Sequence, residues 1–288
     1  MSGGTATSSE ATSGAPEAGQ PRGRRPLRPS VFWRIREEIP ERLRLPLVVA
    51  SLCAPVLVWV LLYATQTVSP LFLPSPVSVV RALGRWAASG EMVTDVAASV
   101  RRVAYGFGLA LLLSVPLGLA MGSFRSIQSL FEPMISVVRY MPATAFIPLL
   151  LIWFGIDEAP KVALIFLGTV FFNTLMTADT VWQVPKELIQ VSYTLGASRL
   201  EAFWRVIFPH CLPGMIDAAR VNLAAAWNLI IVAELLAADE GVGLRITRAQ
   251  KFLQTDLILA VVAVIGLLGV SADLALRLLR NRLSPWAR

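Results

Sequence analysis

The sequence predicts an all-α, polytopic membrane protein with about six transmembrane helices. Hydrophobic residues make up 55% of the 288-residue chain, and charged residues make up only 16%. The mean hydropathy of +0.63 is well above that of soluble domains of this length. Charge-poor stretches that approach the roughly 20 residues needed to cross the hydrocarbon core recur along the chain. Together these observations favour a chain that is embedded in lipid.

Residues 1–44 predict a basic cytoplasmic tail that is largely disordered up to about residue 30. Residues 1–30 are rich in Ser, Gly, Ala, Pro and Arg and have no apolar run, so they cannot bury enough surface to offset the entropy of ordering. They also lack the short apolar core of a cleaved signal peptide. We interpret their basic cluster, Arg22, Arg24, Arg25 and Arg28, as a topology signal and a contact for anionic membrane lipid rather than a nucleic-acid site.

Six charge-poor segments follow, and we predict that they form a transmembrane domain over residues 45–284. In chain order they are 45–68, 103–124, 133–156, 162–178, 221–237 and 257–272. The third segment contains Arg139, Pro142 and Pro148. Because its prolines free backbone carbonyls that lipid cannot satisfy, we expect this helix to face protein or a water-filled cavity. The fifth segment is short, so its crossing has to include Glu234.

The distribution of basic residues predicts the orientation. With the N-terminus inside, the inner segments 1–44, 123–139, 179–220 and 273–288 hold 8, 2, 4 and 4 Lys or Arg residues. The outer segments 69–102, 157–161 and 239–251 hold 4, 1 and 3. Since cytoplasmic loops carry the excess of Lys and Arg, both termini and the stretch around residue 200 are expected in the cytoplasm.

Candidate catalytic and metal-binding residues are scarce in the sequence. Cys53 and Cys211 lie far apart, and His210 is the only histidine. An enzyme embedded in the membrane would need a cluster of His, Asp, Ser or Cys at membrane depth, so we expect no catalytic residue and no metal site. A secondary transporter that works without ATP remains an alternative, which uptake into vesicles lacking ATP would support.

The segment of about 183–214 is charged and amphipathic, although long apolar runs flank it. Pro185 suits a first helical position, and the apolar residues Leu188, Val191 and Leu195 follow at helical spacing. Gly196 is expected to end this helix, because glycine tolerates a positive φ.

A second helix is expected directly after Gly196. Ser198 and Glu201 predict a capping box at its start. Its apolar face comprises Leu200, Phe203, Trp204, Ile207 and Phe208, and Pro209 is expected to stop it. The segment is thus a helix, a glycine turn and a helix, which we call the elbow. The elbow could lie among the lipid headgroups as an interfacial helix or could dock a cytoplasmic partner.

The elbow resembles the cytoplasmic signature loop of the permease subunits of ATP-binding-cassette importers. That pattern is Glu-Ala-Ala, three residues, Gly, nine residues, Ile, any residue, Leu-Pro. Gly196 matches it, and Val206, Phe208 and Pro209 occupy the Ile, Leu and Pro positions, whereas Gln190-Val191-Ser192 replaces Glu-Ala-Ala. Further stretches, at 73–83, 98–122, 137–156 and 233–246, resemble the nitrate, sulfonate and taurine branch, and the likeness covers about residues 70–284.

The resemblance implies a permease subunit in a bacterial plasma (inner) membrane, with the coupling loop between helices 4 and 5. It implies a second permease copy as a homodimer partner, two ATPase subunits that bind ATP and Mg²⁺, and an extracytoplasmic solute-binding protein. The chain has no Gly-rich run ending in Gly-Lys-Ser/Thr, so no cofactor is expected in it. The implied solute is small and anionic, such as an aliphatic sulfonate, taurine or nitrate. The residues implied in ATPase coupling are Glu187, Gln190, Gly196, Ala197, Ser198, Glu201, Phe203, Trp204 and Pro209.

Polar residues inside the predicted spans are candidates for the substrate path, because burying them in a membrane is costly. They are Arg139, Asn173, Asn228, Glu234 and Asp256, and the first four are assigned to the path. Each has a plainer interpretation as well. Arg139 could mark the inner interface, Asn173 could bond between helices, and Glu234 could extend its carboxylate towards the outer surface.

Overall fold

The structure, a computed structural model, describes residues 40–287, and regular structure within this range is helical. The disorder predicted up to about residue 30 lies outside the described residues. The helices are α1 (Glu41–Ala64), α2 (Pro76–Ala88), α3 (Glu91–Ser123), α4 (Arg125–Val138), α5 (Ile147–Phe154), α6 (Glu158–Trp182), α7 (Lys186–Thr194), α8 (Arg199–Ala202), α9 (Phe208–Ala237), α10 (Val242–Lys251) and α11 (Thr255–Leu283). Short 3₁₀ turns cover Ala143–Phe146 and Pro285–Ala287, and a π-helical turn covers Phe203–Ile207.

Five helical stretches in the described part of the chain are long and apolar enough to cross a membrane. They contain α1, α3, α6, α9 and α11, and they correspond to the predicted spans other than the third. The third span is the pair formed by α4 and the segment Ala143–Phe154, which are bent by 80° relative to each other. The expected number of six is therefore reached only if this bent pair counts as one span.

The chain divides into two units near Val58. The first includes most of α1, an apolar helix with Pro46 and Pro55 inside it. The second, from Trp59 onward, contains the remaining helices and all the sites discussed below.

The core of the second unit lies where α3, α6 and α9 pack together. Buried side chains from the three helices, including Phe107, Ile165 and Ile230, form one apolar cluster. Gly118 allows α3 to approach α6 closely, because a Cβ added there would lie 2.5 Å from the carbonyl oxygen of Thr174. Small residues at such contacts are typical of helix packing within membranes.

The bend in the third span falls at residues 139–142. Helix α4 ends at Val138, and Pro142 adopts an extended conformation before the 3₁₀ turn. A residue that precedes proline is disfavoured in the helical region, so the chain cannot continue α4 through Met141. Pro148 causes no break, because it lies in the first turn of α5, where its missing N–H costs no helical hydrogen bond.

The prediction that Pro209 stops the elbow's second helix is wrong. Residues 199–235 form one continuous helical stretch. The π-helical turn precedes Pro209, and the N–H of Phe208 donates to the carbonyl of Phe203, five residues back. Pro209 then lies in the first turn of α9, where the hydrogen-bond spacing is already changing, so its missing N–H does not end the helix.

Candidate functional site

The elbow has the turn that its sequence predicts. Gly196 has a φ of +84°, and its N–H donates to the carbonyl of Tyr193. The N–H of Ala197 donates to the carbonyl of Ser192 and closes the end of α7. A residue with a Cβ would be strained at this φ, so the glycine fixes the direction in which the chain leaves α7.

A capping box starts the second helix of the elbow, also as predicted. The backbone N–H of Glu201 donates to Ser198 Oγ over 3.3 Å. The Glu201 carboxylate in turn accepts from the backbone N–H of Ser198 over 2.9 Å. Both hydrogen bonds from Ser198 lower the pKa of the exposed Glu201 carboxyl below its usual value, and the bond from the backbone N–H contributes most.

The apolar face of the elbow is divided between packing and exposure. Ala202 and Ile207 are buried, whereas Leu200 is 68% exposed and Trp204 is 56% exposed. The Trp204 ring contacts Phe203 edge-on with ring centroids 5.1 Å apart and lies 5.3 Å from the Phe208 ring. The tryptophan is therefore held in place by its neighbours while much of its surface stays free for a partner.

The two remaining coupling candidates lie on α7. Glu187 is in its first turn, and Gln190 follows three residues later. Both side chains are exposed. Residues three apart share a helix face, so Glu187 can present a carboxylate near the position where Gln190 replaces the family's glutamate.

A second candidate site is a cavity of about 630 Å³ at the bend of the third span, which we call the bend cavity. Its walls come from residues 138–146, from the stretch 167–172 about halfway along α6, and from 225–229 in α9. Most lining side chains are apolar or aromatic. Among the described residues, Arg139, Tyr140 and Asn228 bring polar groups to the lining. The volume lies within the roughly 300–1,000 Å³ of small-molecule sites.

Among the residues that the structure describes, Arg139 is the one charged residue that lines the bend cavity. Its guanidinium carbon lies 4.9 Å from the ring centroid of Tyr140, and one terminal nitrogen donates to the Tyr140 hydroxyl over 3.2 Å. Its Nε is buried and has no hydrogen-bond partner. No carboxylate among residues 40–287 pairs with it, so the charge is uncompensated by the described chain.

The four substrate-path candidates do not share one site. Arg139 and Asn228 line the bend cavity, with the Asn228 amide donating to the carbonyl of Ala224 over 3.1 Å. Asn173 is buried instead. Its amide nitrogen donates to Ser114 Oγ on α3 over 2.7 Å, and its amide oxygen accepts from the Asn222 amide on α9 over 3.2 Å. It lies in the position expected of an interhelical hydrogen bond.

Glu234 belongs to a third feature, a buried group of charges that we call the Glu234 cluster. Its carboxylate is fully buried and accepts from Arg102 over 2.7 Å, from Ser99 Oγ over 2.7 Å and from the Gly243 N–H over 2.8 Å. Arg102 also donates to Glu158 over 2.6 Å, and Lys161 bonds to the same carboxylate. These bonds connect α3, α6, α9 and α10.

A neighbouring set of bonds fastens the start of α10. Asp95 accepts from the backbone N–H of Gly241 over 3.1 Å, from Arg245 over 2.8 Å and from the indole of Trp86 over 3.2 Å.

The role of Arg102 in the Glu234 cluster is not predicted from the sequence, in which Arg102 only marks the boundary of a span. The spacing of Asp95, Ser99 and Arg102 at i, i+4 and i+7 was the available signal, because it places all three on one helix face.

Comparison with known proteins decides between the transport and enzyme hypotheses. Residues 114–285 match the family described as "Binding-protein-dependent transport system inner membrane component". The chain belongs to this family. It is 35% identical over 259 residues to the taurine transport system permease protein TauC of Escherichia coli (strain K12), which covers 88% of this chain and 94% of that protein. The chain is therefore a multi-pass transport permease of an ATP-binding-cassette importer family.

Solved structures show that the fold of this permease is that of importer permeases. A chain of the MetNI methionine ABC transporter in an inward-facing conformation aligns with a TM-score of 0.55 and 15% identity, covering 65% of this chain and 93% of that chain. A chain of an amino acid ABC transporter aligns with a TM-score of 0.54 and 14% identity, covering 69% and 97%. At these identities the likeness concerns the fold alone.

Proposed function

We propose that this permease is driven by a separate ATPase subunit that binds ATP and Mg²⁺ and docks on the elbow. The geometry of the elbow carries the proposal. A fixed glycine turn and a capping box hold an exposed Leu200 and Trp204 on a short helix that continues directly into α9. An exposed apolar side chain on such a rigid support is suited to a groove in a partner protein.

The proposed assembly contains two copies of the permease, two ATPase subunits and an extracytoplasmic solute-binding protein, in a bacterial inner membrane. Both termini and the elbow lie in the cytoplasm, which agrees with the excess of Lys and Arg in the segments on that side. The Glu234 cluster then lies near the outer surface. The family description, which names binding-protein-dependent transport, supports the binding protein as a partner.

The proposed cargo is a small organic anion, and the proposed path passes the bend cavity. TauC is a taurine permease, and taurine carries a sulfonate. Arg139 and Asn228 are the path candidates that line the cavity. Asn173 and Glu234 are engaged with other side chains in packed regions, and we propose that they support the spans rather than contact the solute.

The docking role of the elbow is tested by changing Trp204→Ala. Burial of an aromatic side chain of this size is worth about 2–3 kcal/mol, so its loss should weaken docking at least tenfold. Tagged permease is purified from its own cells, and the retained ATPase is quantified by mass spectrometry and by ATP hydrolysis. Trp286→Ala is the matched control, because Trp286 is 60% exposed and lies in the 3₁₀ turn Pro285–Ala287, outside the elbow.

We expect the Trp204 variant to lose most of the retained ATPase while the Trp286 variant keeps it. Both should be recovered from the membrane in normal amounts, since neither side chain is buried in the core. Normal ATPase retention and hydrolysis in the Trp204 variant would contradict docking at the elbow. That result would favour the interfacial-helix interpretation, in which Trp204 lies among lipid headgroups.

A further inference from the structure

We infer that the bend cavity is an anion-selective site in which Arg139 binds the sulfonate or carboxylate group of a short organic anion. This inference rests on the proposed function, because it assigns a substrate class to the proposed path. It goes further in one respect: the permease itself discriminates solutes by charge, in addition to any selection by a binding protein.

The first argument is the isolation of the Arg139 charge. Other arginines at the packed faces of the spans hold carboxylates: Arg102 pairs with Glu158 and Glu234, and Arg220 pairs with Asp217 and Asp273. Within residues 40–287, Arg139 bonds only to the hydroxyl of Tyr140. Its Nε is buried without a hydrogen-bond partner, so much of the donor capacity of the guanidinium is unused within these residues.

The second argument is the position of the charge. Arg139 follows α4 at the bend of the third span, and its side chain lines the cavity that α6 and α9 also border. The cavity wall from α6 lies about halfway along that helix, which indicates a depth well inside the membrane. A cation held at this depth is costly without a partner, and a bound anion would offset that cost.

The third argument is the chemistry of the remaining walls. Phe146, Phe171 and Phe172 provide aromatic surface, and Asn228 provides the one amide. Aromatic surface favours a short carbon chain. No carboxylate among the described residues lines the cavity, so the Arg139 charge favours an anion and disfavours a cation there.

The test is direct binding to the purified permease, in nanodiscs and with the subunits it retains. Saturation-transfer difference NMR is recorded with ethanesulfonate and with ethylammonium, which has the same carbon chain and the opposite charge. We expect a signal for ethanesulfonate only. Arg139→Gln should weaken that binding at least tenfold, and Arg139→Lys should retain part of it. Arg125→Gln is the matched control, because Arg125 begins the helix that Arg139 follows, and among the described residues its side chain bonds to Gln128 alone.

A second variant keeps the charge and removes the space. Ala225→Trp should fill the cavity from α9 and abolish ethanesulfonate binding even though Arg139 is unchanged. Equal binding of ethanesulfonate in wild type and Arg139→Gln, equal binding of ethylammonium, or no binding in wild type would each overturn the inference. Because the measurement needs no ATP, its failure is separate from a failure of ATPase docking at the elbow.

Discussion

Replacing Arg102 by methionine should strongly destabilise the permease. In the folded protein Arg102 donates to Glu234 over 2.7 Å, to Glu158 over 2.6 Å and to the Glu240 carbonyl over 2.7 Å. The change leaves the Glu234 carboxylate fully buried, and the Ser99 hydroxyl and the Gly243 N–H are then its only donors within residues 40–287. Two hydrogen bonds do not balance a buried negative charge that has lost its cation.

The expected cost is about 3–5 kcal/mol in the free energy of unfolding, as for other buried ion pairs that lose one partner. Arg85→Met is the control. Arg85 pairs with Asp256 over 3.1 Å, but its side chain is 75% exposed, so solvent screens the interaction. Arg85→Met should lower the free energy of unfolding by no more than about 1 kcal/mol.

The assay is unfolding of the purified protein by SDS in mixed micelles, followed by tryptophan fluorescence. A double variant, Arg102→Met with Glu234→Gln, separates charge imbalance from lost packing. Because the second change removes the uncompensated charge, the double variant should be at least about 1 kcal/mol more stable than the sum of the single changes predicts.

Two results would refute this reasoning. The first is that Arg102→Met lowers the free energy of unfolding no more than Arg85→Met does, which would mean that Glu234 is not effectively isolated from solvent. The second is strict additivity in the double variant, which would mean that the two side chains do not interact energetically.

Four further predictions concern the elbow, the orientation and two polar residues of the spans. Gly196→Val should reduce ATPase retention on purification, because valine is strained at a φ of +84°; full retention would show that the turn is not needed. In a cysteine-free background, an impermeant thiol reagent applied to intact cells should label Glu240→Cys and spare Arg199→Cys, and the reverse pattern would invert the proposed topology. Asn173→Leu should lower the free energy of unfolding by about 1–3 kcal/mol, because it leaves buried partners unsatisfied. Asn228→Leu, at the exposed cavity wall, should reduce uptake with stability unchanged, and unchanged uptake would remove this residue from the path.

Much of the local structure could be predicted from the sequence, because it depends on neighbouring residues. Apolar runs of sufficient length predict the long helices. The positive φ of Gly196 and the Ser198–Glu201 capping box follow from residues at most three apart, and both are confirmed. The break after Arg139 was also signalled, since arginine and proline interrupt an apolar run there.

Features that join distant parts of the chain could not be predicted in this way. Arg102 and Glu234 are separated by 132 residues in sequence, and only the packing of α3 against α6 and α9 brings them together. The bend cavity depends on the 80° angle within the third span, which a sequence pattern does not specify. Pro209 was misjudged because a π-helical turn accommodates it, and no residue type marks such a turn reliably.

The continuous helix from the elbow through α9 would be a lever with unequal arms if it moved as a rigid body. About a pivot at Asn228, the arm back to Phe208 is about 30 Å long and the arm forward to Glu234 is about 9 Å long, at about 1.5 Å per residue. A tilt would then reduce the displacement at Glu234 to roughly a third of the displacement at Phe208, and the force would rise roughly threefold. A large displacement of the elbow would thus act as a small, strong displacement on the bonds that hold Glu234.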